Sequence, residues 1–206
     1  MQFGGLVIGL EQVLCSTAHL HRQAWEVVLN NLGIPCRCIN KVDFSSLCSE
    51  EEADILLQCD NLQLSKIERD MVIMEKNELY RNLLFTLTPE DLFPCVLPLL
   101  DEIKALKFPI GIASNNKSTV LILKYLGLSD YFNAVSDGNA DETDANEAGR
   151  IYYKACEYMN LSPKNCLVWE GTPQKANEAK AAGFCVITGK AQEVRTKFLF
   201  DILEKK

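Results

Sequence analysis

The sequence predicts an α/β protein: a Rossmann-like core with a parallel sheet, and a small all-helical segment inserted after the first strand. Three observations carry this. A short apolar run, Leu6-Val7-Ile8, stands near the start of the chain and ends in a loop at Gly9. From about residue 50 to 85 the apolar spacing is helical, with no strand pattern to interrupt it. Beyond Pro94, apolar runs alternate with helical segments, as in a parallel sheet covered by helices. The expected division is a core of residues 1–15 and 88–206 and a helical cap of residues 16–87.

Each element has a local reason. After the first strand, Ser16 can cap a helix whose apolar positions Leu20, Ala24, Trp25, Val28 and Leu32 recur at helical spacing until Gly33. "SEEEADILLQCD" opens with acids that suit a helix N-terminus, and "SKIERDMVIMEKNELYRNLL" opens with a Ser65/Glu68 capping box. "CVLPLLDEIKALK" is a helix that tolerates Pro98 near its first turn, "FPIGIAS" a buried strand, and "KSTVLILKYLG" a helix closed by Gly127. A short strand at "NAVS", a helix through "IYYKACEYM", the strand "NCLVWE", the helix "QKANEAKAAG", the strand "FCVITG" and a last helix to Lys206 complete the order.

Composition narrows the function. A formal net charge of −7 argues against a general nucleic-acid or anionic-membrane binder, and no apolar stretch approaches a transmembrane length. Nine cysteines without a C-x-x-C pair read as reduced thiols. Cys36-x-Cys38 could hold half a zinc site, but His19 and His21 are the only histidines, so packed or surface thiols are the better reading. The first residues carry no signal or transit pattern; a cytoplasmic location is expected, the interior of an organelle after presequence removal being the alternative.

In an open α/β sheet, ligands bind beyond the carboxyl ends of the strands. Those ends carry Gly9 to Gln12, Ser114 to Asn116, the acidic loop from Asp141 to Glu147, and Glu170 to Thr172. Three segments, "HRQAW", "LTPEDLFPCVLPLLDEIKALKFPIGIASNN" and "NCLVWEGTPQKANEAKAAGFCVITG", occur in that order. With these segments the chain resembles the haloacid dehalogenase superfamily, specifically its β-phosphoglucomutase-like phosphatases and mutases with a helical cap. The resemblance implies aspartyl-phosphate chemistry: an Asp nucleophile, a second Asp as acid/base, a hydroxyl and a Lys on the phosphoryl group, and carboxylates that hold magnesium.

Against that pattern this chain departs at several positions. The family's D-x-D-G reads Gly9-Leu10-Glu11-Gln12, which leaves no nucleophile and an acid/base position one methylene longer. Ser114 and Lys117 in "IASNNK" match, but Asn146 stands where the phosphate-neutralising Lys belongs, amid Asp141, Glu142, Asp144 and Glu147. Glu170 is kept, yet its acidic neighbour is Gly171. His21, Trp25 and Lys76 match positions that in the mutases help place the cap and the sugar phosphate. Each also has a plainer reading: Trp25 as core, Lys76 as a solvated charge, His21 as a satisfied polar residue, Ser114 as a turn or cap.

The expectation is therefore a catalytically inactive member of the family that serves as a binding or structural subunit. It would need no cofactor, magnesium being doubtful, and would work with a protein partner or larger assembly. Two alternatives stand beside it. One is a phosphatase- or phosphomutase-like hydrolase with altered chemistry, using Glu11 as a base or Cys15 as a nucleophile. The other is a non-catalytic sensor of a phosphorylated metabolite, using Ser114, Lys117, His21 and Lys76.

Overall fold

The computed structural model describes residues 3–59, 62–139 and 149–198. Two compact units emerge, one of residues 1–16 with 88–206, the other of residues 17–87, so the division falls one residue later than the sequence boundary. Ser16 belongs with the first unit, where its hydroxyl accepts a hydrogen bond from the Gln12 side chain at 3.1 Å.

The first unit is built on a parallel sheet. Its strands are β1 (Gly5–Gly9), β2 (Ile110–Ala113), β3 (Ala134–Ser136), β4 (Cys166–Glu170) and β5 (Cys185–Thr188), in the order β3-β2-β1-β4-β5. Every pairing is parallel, so each link must cross over the sheet. In the central strand Leu6 lies opposite Ile110 and Leu167, and Ile8 opposite Ile112 and Trp169. All five residues of β1 are buried, which explains why the sequence shows a continuous apolar run there instead of alternation. The helices of this unit are α4 (Val96–Ala105), α5 (Thr119–Tyr125), α6 (Arg150–Tyr158), α7 (Pro173–Ala181) and α8 (Ala191–Phe198). Val7 and Val168 share a cluster with Tyr152, Ala155 and Cys156 of α6 and Ala179 of α7, covering one face of the sheet.

The second unit contains α1 (Ala18–Asn31), α2 (Ser49–Cys59) and α3 (Lys66–Leu83). Its core joins Trp25, Val28 and Leu29 of α1 to Leu56 and Leu57 of α2 and Val72 and Ile73 of α3. The Ser65/Glu68 capping box forms as read: the Ser65 hydroxyl accepts from the Glu68 amide, and the Glu68 carboxylate accepts from the Ser65 amide at 2.8 Å. Ser16, expected to cap α1, does not. Thr17 occupies that position without a side-chain cap bond, and its hydroxyl instead accepts from Tyr80 at 2.9 Å, because helix packing brings Tyr80 there.

A second correction concerns the thiols. Cys38 and Cys59 form a disulfide, with their Cα atoms 6.3 Å apart. The turn before Ile39 and the end of α2 meet only in the folded unit, so sequence spacing does not reveal the pair. The bond removes the compositional ground for assigning a reducing compartment. Among the described residues no helix is long and apolar enough to cross a membrane.

Candidate functional site

β1 delivers Gly9 to the carboxyl edge of the sheet, where β4 delivers Glu170. The two meet without a side chain between them. A Cβ on Gly9 would collide with Glu170 Oε2 and lie 2.7 Å from the carboxyl carbon. The Glu170 carboxylate thus fills the volume into which a nucleophile at position 9 would project. Gly171 shows the same adjustment, because a Cβ there would collide with the carbonyl of Gln12 and stand 2.7 Å from its Cβ. Gln12 adopts a left-handed backbone, φ 59°, and its amide donates to the Cys15 carbonyl at 2.9 Å, so the first loop is tightly turned against the fourth strand's exit.

Glu170 is 3% exposed, and its Oε1 accepts a 2.7 Å hydrogen bond from the Tyr152 hydroxyl. Burial pushes its pKa up from 4.5 to about 7, outweighing the Tyr152 bond, the Gly171 amide and the nearby Lys175 charge, all of which favour the carboxylate. Tyr152 was not singled out in the sequence. Its signal was present: positions 152, 155, 156 and 159 form a helical stripe with a hydroxyl at one end.

Ser114 is buried at the end of β2, and its Oγ accepts from the Asn116 amide at 3.1 Å. The hydroxyl therefore closes a turn rather than capping α5, which starts at Thr119. Lys117 lies exposed in the same turn, with its carbonyl accepting from the Asn139 side chain at 2.8 Å. Asn146 and the acids Asp141, Glu142, Asp144 and Glu147 lie outside the described residues.

Among the described residues the donor set at the strand ends does not fit a magnesium ion. Gly9 and Gly171 offer no side-chain oxygen, and Glu170 is a buried carboxyl engaged by Tyr152 with a pKa near neutrality. Among the described residues no group of three His, Cys, Asp or Glu is placed to hold a metal. Cys15 fails as a nucleophile: it is fully buried, and burial first, then the charges of Glu11 and Asp91, raise its pKa and hold the thiol protonated.

In the helical unit the structure brings His21, Trp25 and Lys76 together around Glu52, a residue the sequence reading treated as one of three acids at a helix start. Lys76 is fully buried and spends its ammonium hydrogens on Glu52 Oε2 at 2.7 Å, His21 Nδ1 at 2.8 Å and Ser49 Oγ at 3.1 Å. Trp25 Nε1 donates to the same Glu52 oxygen at 2.8 Å. Glu52 Oε1 lies 3.0 Å from His21 Nδ1, so that one ring nitrogen stands within hydrogen-bond distance of both the Lys76 ammonium and the Glu52 carboxylate. Burial lowers the pKa of His21, aided by the Lys76 charge and opposed by Glu52. Burial likewise lowers that of Lys76 against the pull of Glu52. For Glu52, burial works upward but is overcome by His21 and Lys76, and the net shift is down. Lys76 and Trp25 expose no surface, so the expected solvated lysine is a buried ion-pair partner.

The described residues thus form a five-stranded parallel sheet with a helical unit inserted after β1, and Gly9 and Glu170 meet at the strand ends. The sequence profile of haloacid dehalogenase-like hydrolases matches residues 10–183, and the chain belongs to that family. Over 190 residues it is 27% identical to a β-phosphoglucomutase of Bacillus subtilis, covering 91% of this chain and 84% of that one. It is 24% identical over 187 residues to the fructose-1-phosphate phosphatase YqaB of Escherichia coli, covering 88% and 94% respectively. Among solved structures, β-phosphoglucomutase from Clostridium difficile superposes with a TM-score of 0.79 at 21% identity, covering 97% of this chain and all of that one. This likeness shows the fold.

Proposed function

We propose that this chain is a phosphatase- and phosphomutase-like protein that has given up aspartyl-phosphate transfer and serves as a folded binding or structural subunit. One observation carries the reading: the Glu170 carboxylate occupies the place of the missing nucleophilic side chain at Gly9. A lost nucleophile can be replaced only if its space remains, and here a neighbouring side chain fills it. Among the described residues, Gly9 and Gly171 offer magnesium no side-chain oxygen and Glu170 is already engaged by Tyr152, which favours the same reading. The internal pairing of Lys76 with Glu52 weighs against a phosphate contact by Lys76, and so against the metabolite-sensor reading.

The comparisons favour a second reading, a hydrolase with altered chemistry, since the relatives bear phosphatase and phosphomutase names. One structural feature supports it. A carboxyl with a pKa of about 7 at the strand ends suits a general base that takes the proton of a water attacking phosphorus directly.

A single assay divides the readings. Purified chain with magnesium, offered an aryl phosphate and fructose 1-phosphate, is expected to show no hydrolysis above a boiled control. Turnover abolished by both Glu170→Gln and Ser114→Ala establishes the hydrolase instead. A rise in melting temperature with millimolar hexose phosphate, without turnover, establishes the sensor.

A further inference from the structure

We infer that the outer face of α3 docks a basic amphipathic helix of a protein partner. The inner face of this helix is committed to the unit's own core through Val72, Ile73, Lys76 and Tyr80. The outer face carries Ile67, Met71 and Met74 at i, i+4 and i+7, a single stripe along the helix. These side chains are 74%, 63% and 70% exposed, far more than scattered surface apolar residues need to be. Two of the three are methionines, whose flexible thioethers suit a surface that conforms to a partner helix.

Charge selects the occupant. Between two exposed bases at the helix ends, Lys66 and Arg81, every exposed charged residue is acidic: Glu68, Asp70, Glu75 and Glu78. The helical repeat puts Asp70 on one side of the stripe, Glu75 on the other and Glu78 at its end. The two bases within that span are turned elsewhere, Arg69 to Asp54 at 2.8 Å, with Asp70 at 3.9 Å, and Lys76 into the core. A second copy of this chain would set only Lys66 and Arg81 against these four acids while bringing four more, and an anionic membrane would be repelled. An amphipathic helix with Lys or Arg beside an apolar stripe satisfies both the methionines and their acidic border. The inference stands whether or not the strand-end site turns over a phosphoester.

The test uses a labelled Leu-Lys peptide of about 18 residues, five helical turns, patterned as an amphipathic helix, and a Leu-Glu peptide of the same pattern. Fluorescence anisotropy with the full chain is expected to show saturable binding of the Leu-Lys peptide alone. Met71→Ser with Met74→Ser should weaken it roughly tenfold, and Glu75→Gln with Glu78→Gln should weaken it too, with circular dichroism unchanged in both. Equal binding by the methionine variant would reduce the effect to diffuse charge and overturn the proposal. So would failure of the chain to bind the Leu-Lys peptide, a dimer in sedimentation that the methionine variant dissolves, or capture by anionic vesicles that the same variant loses.

Discussion

The Glu170 carboxylate stands where a side chain on Gly9 would begin, and Gly171 passes so close to the Gln12 carbonyl that it too has no room for a Cβ. The two glycines work together. Without side chains at the end of β1 and after β4, the two strand exits lie close together, and Tyr152 holds the intervening carboxyl. The buried acid at this junction is hydrogen-bonded from within the fold.

Restoring bulk at position 9 should therefore destabilise the protein. Gly9→Ala is expected to cost about 1–3 kcal/mol as an overpacking change, lowering the melting temperature by about 2–4 °C for each kcal/mol. Combining it with Glu170→Ala should cost less than the two single changes together, since the second removes the group the first strikes. Thermal melts of the four proteins measure this coupling. Strict additivity would mean that the carboxylate simply swings away.

Glu170 also predicts a pH dependence. Its folded pKa, about 7, is above the unfolded value of 4.5, so the folded state holds the proton more tightly. The resulting stability is fully present below pH 4.5 and is lost as pH rises through about 7, amounting to about 3 kcal/mol at the order-of-magnitude level. Glu170→Gln keeps an acceptor for Tyr152 but removes the titration. Urea unfolding should show the variant gaining on the parent protein between pH 5 and pH 8, and a constant difference would refute the buried-proton account.

Much of the fold could be read from the chain because its signals are local. The buried run before Gly9, the Ser65/Glu68 box and the alternation after Pro94 need only a few neighbouring residues to be recognised. That the first strand ends in a glycine was legible for the same reason. That Glu170 stands beside it was not, since Glu170 reaches Gly9 only after a sheet forms with β4 beside β1. Glu52 was overlooked beside Glu50 and Glu51, because helical spacing does not separate them and only the packed structure buries it, alone of the three, with Ala53, Leu56 and Leu57. The disulfide between Cys38 and Cys59 and the Tyr80 bond to Thr17 are likewise products of helix packing, which spacing along the chain does not encode.

The Lys76–Glu52 pair should behave as a buried ion pair does. Lys76→Met leaves the Glu52 carboxylate buried without its cation and is expected to destabilise the helical unit by about 3–5 kcal/mol. Adding Glu52→Gln removes the stranded charge and should recover a large part of that loss. Urea unfolding followed by fluorescence in a Trp169→Phe background, which leaves Trp25 as the reporter, makes the comparison. A double variant no better than Lys76→Met alone would show that the lysine matters for packing and not for charge.

His21 provides the most local probe of that cluster. Burial, aided by the Lys76 charge, should keep the ring neutral below the ordinary histidine pKa of 6.5. Because the folded pKa is the lower one, the associated stability is present above pH 6.5 and is lost as pH falls below it. Glu52, whose pKa is also lowered, extends the loss further into acid, below 4.5. The chain has only two histidines, so a His19→Gln variant identifies the His21 ring in a proton NMR titration. That ring is expected to titrate below 6.5 in the parent protein, lower still in Glu52→Gln, which removes the carboxylate that favours imidazolium, and higher in Lys76→Met, which removes the opposing cation. A ring that titrates at 6.5 and responds to neither substitution would mean that His21 lies outside the charge network that Glu52 and Lys76 define.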